Sequence, residues 1–254
     1  AAGIGSIGPL DRSAGAVARG INVGIGDRPI RLRDPIGSLI DGPVGLYNDA
    51  VAGAIGERSA QSDPVDDLVY LTISTGIGVG AIVDGHVLNG DEGNAGEMGH
   101  IVVDPTGRLR CGCGAVGHWE AYCSGRNLPA LARHLADGNR TDLSPADLDA
   151  STLFAHPSDP LGQRTLEEMT RYNAIGLCAT IHAFAPTVVR VGGAVALENP
   201  DRVIATMRDR VEPLLAVPIP EIGPAELGRD SVLRGAIERA VRAGTHAAAT
   251  GRDG

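Results

Sequence analysis

The strongest constraint on the fold comes from residues 66–90, in which apolar runs flank a glycine-rich turn. This segment, DDLVYLTISTGIGVGAIVDGHVLNG, predicts a buried strand, a tight turn, a second strand, a hairpin turn and a third strand. The expected ranges, in that order, are 68–74, 76–80, 81–83, 84–85 and 86–88. Because helical patterns occur on both sides of this strand-rich segment, we expect an α/β fold.

Strands and helices alternate along the rest of the chain. The sequence VGLYN predicts a short strand followed by a helix that starts near Asp49, and a strand in TVVRVGGAVA should run into a Gly-Gly turn. Long helices are expected over 119–136 and 162–185. Two more are expected over 201–215 and 230–244, each opened by an aspartate in the N-cap position.

The composition narrows the range of functions. The 254 residues carry a net charge of −9, and all 22 basic residues are arginine. An acidic chain opposes binding to nucleic acid, and the sequence has no apolar run of about 18 residues that could span a membrane. Two of the four cysteines form a Cys-x-Cys pair, which indicates a reducing compartment, so we expect a cytoplasmic protein.

Three glycines, Gly76, Gly78 and Gly80, directly follow the first strand of this segment. A dinucleotide-binding loop has this spacing, but it must open a helix whose N-terminus holds the pyrophosphate. Here AIVDGHV predicts a strand instead. A glycine-rich turn between strands, with Thr75 in it, can direct backbone N–H groups at phosphate oxygens, as in actin-like ATPases. The alternative is a plain tight hairpin.

The acid in YNDA has a structural and a functional interpretation. Asp49 follows a short strand and precedes a helix, so it could simply cap that helix. A carboxylate at the carboxyl end of a strand also projects into the cleft of an α/β fold. There it could accept the proton of a sugar hydroxyl while that oxygen attacks a phosphoryl group.

The segment AGEMGHIVVDPTGRLRCGCGAVGHWEAYCSG concentrates residues that bind metals. Zinc prefers four nitrogen and sulfur ligands in a tetrahedron. Such a set, with no open position, is formed by His100, Cys111, Cys113 and His118. Three glycines among them let the backbone turn tightly around an ion. We therefore predict a structural zinc site; the alternatives are a free-thiol turn beside two surface histidines, or Cys123 as the ligand in place of His118.

Together these motifs resemble the ROK (repressor, open reading frame, kinase) sugar kinases, in particular their glucokinase-like branch. The matching pieces, in the order of the family, are GIGSIGPLD, YNDA, TGIGVGAIVDG, AGEMGH, CGCGAVGHWE and VGGAVA. They cover nearly the whole chain, and the Glu-x-Gly-His sequence with the Cys-x-Cys turn is highly specific. The resemblance implies an α/β fold of the actin-like ATPase (ribonuclease H-like) type, and ATP-dependent phosphorylation of a hexose at its terminal hydroxyl.

The resemblance also implies a role for each matching residue. Asp49 would be the catalytic base. The sugar hydroxyls would be held by Asn48, Glu97, His100 and Glu120. The ATP phosphates would face Thr75, Gly76 and Gly78, and the adenosine would lie near Gly192 and Gly193. His100 would contact both the structural zinc and the sugar, and Mg²⁺ would accompany ATP, the phosphoryl donor.

The same resemblance divides the chain into two lobes. Residues 1–58 and the C-terminal helix, 229–254, would form the remainder of the small lobe, and residues 59–228 the large lobe with the zinc-binding loop. The family also suggests a homo-oligomer, a dimer or a tetramer. The protein would bind a hexose and ATP, and we expect it to bind neither nucleic acid nor a membrane.

Two departures from the family pattern modify these expectations. The family usually has a third cysteine where this sequence has His118; histidine is an accepted zinc ligand, so the site is retained. The N-terminal phosphate loop of the family, of the Asp-x-Gly-Gly-Thr type, is missing from this sequence. Because that loop would bind the nucleotide phosphates and magnesium, we expect the sequence to be an N-terminally incomplete copy of a kinase.

Two other functions fit parts of the sequence. A sugar-sensing ROK transcriptional repressor shares the sugar and zinc motifs but adds a DNA-binding helix-turn-helix; the acidic composition and the Asn48-Asp49 pair favour the kinase. A non-catalytic, zinc-stabilised sugar-binding domain is the second alternative. Glucose is the first choice of hexose, with N-acetylmannosamine, N-acetylglucosamine, fructose and allose open, and polyphosphate is open as a donor beside ATP.

Overall fold

The computed structural model describes residues 1–18, 28–136, 141–144 and 147–250. The β-strands are β1 (Ala2–Ser6), β2 (Leu10–Asp11), β3 (Ala16–Val17), β4 (Ile30–Arg31), β5 (Val44–Asn48), β6 (Leu68–Ile73), β7 (Ile77–Val83), β8 (His86–Val87), β9 (Val188–Gly192) and β10 (Glu221–Pro224). The α-helices are α1 (Arg33–Gly37), α2 (Asp49–Ala60), α3 (Trp119–Cys123), α4 (Leu128–Leu135), α5 (Ala150–Ala155), α6 (Pro160–Phe184), α7 (Ala194–Glu198), α8 (Thr206–Val211) and α9 (Ser231–Thr250). Within these ranges, no helix has the length and apolar character needed to cross a membrane.

The strands of the described residues form three sheets. β1 and β5 pair in parallel, with Gly5 beside Tyr47 and Ser6 beside Asn48. The largest sheet has the strand order β10-β9-β6-β7-β8, in which β9 and β10 are parallel and β7 and β8 antiparallel. β2, β3 and β4 form a small antiparallel sheet. Helices connect many of these strands, as the alternating sequence pattern predicts for an α/β protein.

The turn after β6 is shorter than the sequence predicts. The backbone N–H of Ser74 donates to the carbonyl oxygen of Gly76 at 2.9 Å, which closes the turn within three residues. β7 therefore begins at Ile77 and not at residue 81, so the expected turn over 76–80 is wrong. Gly80 is a strand residue with a packing role, because a Cβ atom there would lie 2.0 Å from the carbonyl oxygen of Ala50.

The single helix expected over 119–136 is wrong, because two helices, α3 and α4, occupy this range. α3 ends where its C-cap residue, Ser124, becomes extended. The backbone N–H of Gly125 then donates to the carbonyl oxygen of Ser74 at 2.8 Å and leaves the helical path. α4 starts with Pro129 in its first turn, a position where the missing N–H of proline costs no helical hydrogen bond.

The helix expected over 201–215 is irregular, and Asp201 does not cap it. It consists of a π-helical turn, α8 and a final 3-10 turn. Pro200 already has helical dihedral angles, so Asp201 lies inside the helix, where its side chain cannot serve as the N-cap. α9 begins directly after a 3-10 turn that ends at Asp230.

The chain divides into two compact units. Unit 1 comprises Ala1–Tyr70, Gly80–Gly96 and Ala225–Gly254, and unit 2 comprises Leu71–Val79 and Glu97–Pro224. The predicted lobe ranges, 1–58 with 229–254 and 59–228, stay a prediction. They include four stretches that lie outside the described residues, namely 19–27, 137–140, 145–146 and 251–254.

In unit 1, α9 packs against α2 and β1. The two helices approach each other through glycines. A Cβ atom at Gly56 would lie 2.1 Å from the carbonyl oxygen of Ser231, and one at Gly235 would lie 1.8 Å from the carbonyl oxygen of Ala52. Backbone therefore contacts backbone where α2 and α9 pack, and no larger side chain fits at either glycine.

Glu57 is a buried carboxylate on α2 that binds the segment leading into α9. Its Oε1 accepts hydrogen bonds from the N–H of Leu227 at 3.1 Å and the hydroxyl of Ser231 at 2.7 Å. Its Oε2 accepts the N–H of Glu226 at 2.8 Å. Although the side chain has no solvent exposure, burial of the carboxylate is tolerated because both oxygens are hydrogen-bonded. These bonds fix α2 within unit 1.

Gly235→Ala should destabilise the protein. The added methyl group collides with backbone, which no rotamer change relieves, so we expect a loss of about 1–3 kcal/mol in the free energy of unfolding. Gly244→Ala is the matched control on the same helix, because its Cβ would lie 3.4 Å from the Cβ of Ala1, an ordinary contact. Helix propensity should make that variant neutral or up to about 1 kcal/mol more stable. Equal denaturant midpoints for the two variants would contradict the packing.

In unit 2, the long helix α6 packs against α3, α4 and α8. Trp119 is fully buried, and its Nε1 donates to Oδ1 of Asn173 on α6 at 2.8 Å. Gly176 leaves space for the indole ring, since a Cβ atom there would lie 2.2 Å from it. Because Trp119 is the first residue of α3, these contacts orient α3 and the next residue, Glu120.

Candidate active site and metal centre

Asn48 and Asp49 lie in unit 1, where β5 ends and α2 begins. Asn48 is the N-cap of α2, because its Oδ1 accepts the N–H of Ala50 at 2.9 Å and that of Val51 at 3.3 Å. The interpretation of Asp49 as the capping residue is therefore wrong. Asp49 is the first residue inside the helix.

The Asp49 carboxyl group is half-buried, and its Oδ1 accepts the N–H of Ala50 at 2.8 Å. Burial raises the pKa of Asp49 above its ordinary value, and hydrogen bonds from the N–H groups of Ala50 and Asp49 itself offset this only in part. A carboxylate with a raised pKa is a stronger base than an exposed aspartate. That property suits a group that accepts a proton from a hydroxyl.

In unit 2, the four side chains predicted to bind a metal converge. Each offers one ligand atom, and these atoms lie within 4.8 Å of one another: His100, Cys111, Cys113 and His118. Nδ1 of His100 lies 3.7 Å from Sγ of Cys111, and Nδ1 of His118 lies 3.4 Å from Sγ of Cys113. The two imidazole centroids are 5.3 Å apart. This metal cluster can hold one ion.

Tight turns bring the two cysteines to the metal cluster. The N–H of Cys111 donates to the carbonyl oxygen of Ala115 at 2.8 Å, and the N–H of Gly114 to that of Cys111 at 2.9 Å. Gly114 and Gly117 have φ angles of 98° and 76°, a region that favours glycine. Burial raises the pKa of the Cys111 thiol to about 12, so a cation has to displace its proton on binding.

A hydrogen-bond network that the sequence patterns did not predict supports the loop leading to the cysteines. The Tyr122 hydroxyl donates to Oδ2 of Asp104 at 2.6 Å and accepts the N–H of Leu109 at 3.0 Å. Nε of Arg108 donates to the same Oδ2 at 2.9 Å. Burial acts to raise the pKa of Asp104, but its hydrogen bonds, led by those of Thr106 and Tyr122, hold the pKa well below its usual range. The one feature of the sequence that indicates this network is Asp-Pro-Thr at residues 104–106, which can form an Asx turn.

Glu97 and Glu120 lie in unit 2 beside His100, a member of the metal cluster. His100 directs Nδ1 at Cys111, while its Nε2 lies 3.8 Å from Oε2 of Glu97. Glu120 is 5% exposed; its Oε1 lies 3.7 Å from Sγ of Cys111, and its Oε2 accepts the N–H of Ile77 at 3.0 Å. A carboxylate can accept a hydrogen bond from a hydroxyl, and a neutral imidazole can accept one or donate one.

The residues predicted on the nucleotide side also lie in unit 2. They are Thr75, Gly76 and Gly78 around the turn after β6, and Gly192 and Gly193 at the end of β9. Thr75 is exposed. Gly193 has a φ angle of 87°, and a Cβ atom there would lie 2.4 Å from the carbonyl oxygen of Ile73. The turns that follow β6 and β9 are therefore neighbours, whereas Asn48 and Asp49 belong to unit 1.

The chain is similar in sequence to a protein family and to sugar kinases. The ROK family matches residues 1–242 of the chain. A glucokinase from Pyrobaculum calidifontis is 37% identical over 242 residues, which are 95% of this chain and 79% of the relative. An N-acetylmannosamine kinase from Salmonella arizonae is 38% identical over 159 residues, 61% of this chain and 50% of the relative.

Solved structures agree with these relatives. A ROK glucokinase from Streptomyces griseus, in complex with glucose and AMPPNP, has a TM-score of 0.78 and 30% identity, covering 93% of this chain and 80% of that chain. A ROK hexokinase from Thermus thermophilus has a TM-score of 0.79 and 34% identity, and the match covers 94% of this chain and 78% of that chain. A ROK transcriptional regulator, a homologue of the E. coli MLC protein, shares the fold, with a TM-score of 0.70 at 23% identity. The match covers 92% of this chain and 63% of that chain.

Proposed function

We propose, from the premise that the chain belongs to the ROK family and is a sugar kinase, that it transfers the γ-phosphoryl group of ATP to the terminal hydroxyl of a hexose. Glucose is the hexose that we propose as its main substrate. The observation that carries the proposal is Asp49, a carboxyl group with a raised pKa that is not needed as a helix cap because Asn48 fills that position. Glucose is favoured by the Pyrobaculum calidifontis glucokinase, which matches 95% of this chain.

In the proposed reaction, Asp49 acts as the general base. The terminal hydroxyl oxygen of the hexose attacks the γ-phosphorus of ATP and forms the new P–O bond. The bond between that phosphorus and the β,γ-bridging oxygen breaks, and its electron pair leaves with ADP. The hydroxyl proton moves to the Asp49 carboxylate. The products are the hexose phosphate and ADP.

The other hydroxyls of the sugar would be held by Asn48, Glu97, His100 and Glu120. His100 supports this assignment, because its Nδ1 faces Cys111 while its Nε2 lies on the side of Glu97. The same ring can then bind the metal through one nitrogen and a hydroxyl through the other. Oδ1 of Asn48 accepts two N–H groups of α2, so its Nδ2 is the group that would contact the sugar.

We propose zinc as the ion of the metal cluster. Its bonds to sulfur and nitrogen, about 2.3 Å and about 2.0–2.1 Å long, place two such ligands about 3.6 Å apart in a tetrahedron. Two S···N distances in the cluster, His100 to Cys111 and His118 to Cys113, are 3.7 and 3.4 Å, and all four ligand atoms lie within 4.8 Å of one another. Four protein ligands complete the coordination, so the role is structural. The ion would hold His100 beside Glu97 and Glu120. It would not touch the sugar itself but would orient a side chain that does.

On the nucleotide side, backbone N–H groups of the turn after β6 would contact the ATP phosphates. The residues concerned are Thr75, Gly76 and Gly78, with Gly192 and Gly193 near the adenosine. Glycines support this assignment because they let phosphate approach the backbone closely. Mg²⁺ would accompany ATP and neutralise the charge that develops on the phosphates. We also propose that residues 1–58 with 229–254 belong to the small lobe and residues 59–228 form the large lobe. The protein would be a cytoplasmic dimer or tetramer.

A sugar-sensing repressor is the second candidate function. It is favoured by the fold likeness to the ROK transcriptional regulator, which has a TM-score of 0.70. The net charge of −9 disfavours it, because an acidic chain repels DNA. A repressor would bind glucose without phosphorylating it.

The test is a phosphorylation assay on the full-length protein. Glucose, N-acetylmannosamine, N-acetylglucosamine, fructose and allose are compared with ATP, and polyphosphate is compared with ATP as the donor. We expect glucose to give the highest kcat/KM. Faster turnover of another sugar would overturn the choice of glucose. Glucose binding without ADP release from any sugar would support the repressor.

The raised pKa of Asp49 should appear in the pH dependence of the reaction. Since the base has to be ionised, kcat/KM should fall as the pH drops through a pKa above the ordinary 3.8 of an aspartate. The folded state also holds this proton more tightly than the unfolded state, so the stability that Asp49 contributes is lost as the pH rises from 3.8 through the raised pKa. An acid limb of the pH–rate profile centred at or below 3.8 would contradict this assignment.

A further inference from the structure

We propose that Glu120 is a positioning residue through which the metal cluster fixes the glycine turn of residues 74–77. This inference rests on the proposed function only in assigning that turn to the nucleotide. Glu120 is 5% exposed, and its carboxylate has a contact on each side. Oε2 accepts the N–H of Ile77 at 3.0 Å, and Oε1 lies 3.7 Å from Sγ of Cys111. This buried side chain thus lies between a predicted metal ligand and Ile77, the first residue of β7.

The backbone N–H and the backbone carbonyl oxygen of Ile77 are each contacted by a residue that lies close in sequence to a predicted metal ligand. Its N–H is bound by Glu120, which follows His118 by two residues. Its carbonyl oxygen packs against Gly99, the residue before His100; a Cβ atom at Gly99 would lie 2.3 Å from that oxygen. A movement of either histidine therefore acts on the position of Ile77.

The other end of the glycine turn is held by the same short helix. Glu120 lies at the start of α3, and Gly125 lies just after the end of α3. The N–H of Gly125 donates to the carbonyl oxygen of Ser74 at 2.8 Å, and Ser74 closes the turn through its own N–H. Since the N-cap residue of α3 is His118, a predicted metal ligand, a bound ion restrains the helix that holds the turn at both ends.

The position of Glu120 has a consequence for binding. A carboxylate offers about four acceptor sites, so the bond to Ile77 leaves others for a sugar hydroxyl. A hydrogen bond from an N–H group to a buried carboxylate is among the stronger ones in proteins and fixes the donor in direction. The metal, the sugar and the phosphate-binding turn would thus be coupled through one side chain. Loss of the metal or of Glu120 should weaken nucleotide binding even though neither touches the nucleotide.

The test is amide hydrogen exchange at Ile77, which needs no catalytic activity. The full-length protein is compared with zinc and after chelation with EDTA, for the parental chain, Glu120→Ala and Glu120→Gln. Chelation should speed exchange at Ile77 about tenfold or more, as expected for loss of a hydrogen bond to a charged group. Glu120→Ala should exchange as fast with zinc as without it. Glu120→Gln retains an oxygen acceptor and should keep most of the protection.

Glu57→Gln is the matched control, because Glu57 is also a buried carboxylate that accepts backbone N–H groups, but in unit 1. Exchange at Ile77 should stay parental in this variant. AMPPNP titration should show the same order, with affinity lowered about tenfold by Glu120→Ala and by chelation, and largely restored by Glu120→Gln. Unchanged exchange at Ile77 on chelation of the parental chain, or in Glu120→Ala with zinc, would overturn the proposal. The exchange result stands even if no sugar is phosphorylated, and then only the proposed function fails.

Discussion

Asp49→Asn should lower kcat for hexose phosphorylation by roughly 10²–10⁴-fold, the usual effect of removing a general base. Asparagine retains the shape of the side chain and an oxygen that can accept the N–H of Ala50, as Oδ1 of Asp49 does at 2.8 Å. It cannot take a proton from the attacking hydroxyl. The KM for the hexose should change far less, because other side chains would still hold the remaining hydroxyls. Steady-state kinetics of the full-length protein measure both constants.

Stability measurements separate this chemistry from helix capping. Because Asn48 provides the cap of α2 and burial disfavours the ionised form of Asp49, Asp49→Asn should leave the thermal unfolding midpoint at or above the parental value. Asn48→Ala removes the cap and should cost about 0.5–2 kcal/mol of unfolding free energy. If Asp49→Asn folds normally and phosphorylates the hexose at nearly the parental rate, Asp49 is not the base.

Cys111→Ser should abolish metal binding. Cys111 is the more buried of the two cysteines in the metal cluster and lies 3.7 Å from Nδ1 of His100. A hydroxyl is a poor substitute for a thiolate as a zinc ligand, so zinc content should fall from about one ion per chain to nearly none. The loop from Cys111 to His118 should then lose its order. Hexose affinity should fall by about 10–100-fold, the range typical when the support of a site is lost.

Two variants test whether the effect is specific to the metal. Cys178→Ser removes a thiol on α6 whose Sγ lies 3.4 Å from Nδ1 of His182, outside the metal cluster, so zinc content should not change. His118→Cys replaces one accepted zinc ligand with another and should retain the ion. Elemental analysis of protein purified without chelator gives the zinc content. Absence of zinc from the parental protein would rule out the site.

Much of the fold was predictable from the sequence because its signals are local. The apolar run before the glycines predicted β6, VGLYN predicted β5, and the pattern from residue 162 predicted α6, which the structure extends to Pro160–Phe184. The ROK resemblance, and with it the actin-like class of fold, is confirmed by the family match over residues 1–242 and by the solved ROK kinases. The Cys-x-Cys turn was identifiable because both cysteines stand on one short segment.

Tertiary structure decided the features that depend on contacts between distant parts of the chain. Sequence could not place the break between α3 and α4, because it depends on the bond between Gly125 and Ser74. The sequence predicted Glu120 only as a residue that binds the sugar. In the structure, packing of Trp119 on α6 directs the Glu120 carboxylate to Ile77, 43 residues away in sequence. Local patterns such as period, turn residues and ligand spacing are encoded within a few residues. A hydrogen bond between two segments exists only once the core has brought them together, and that is why the support of the site appeared only in the structure.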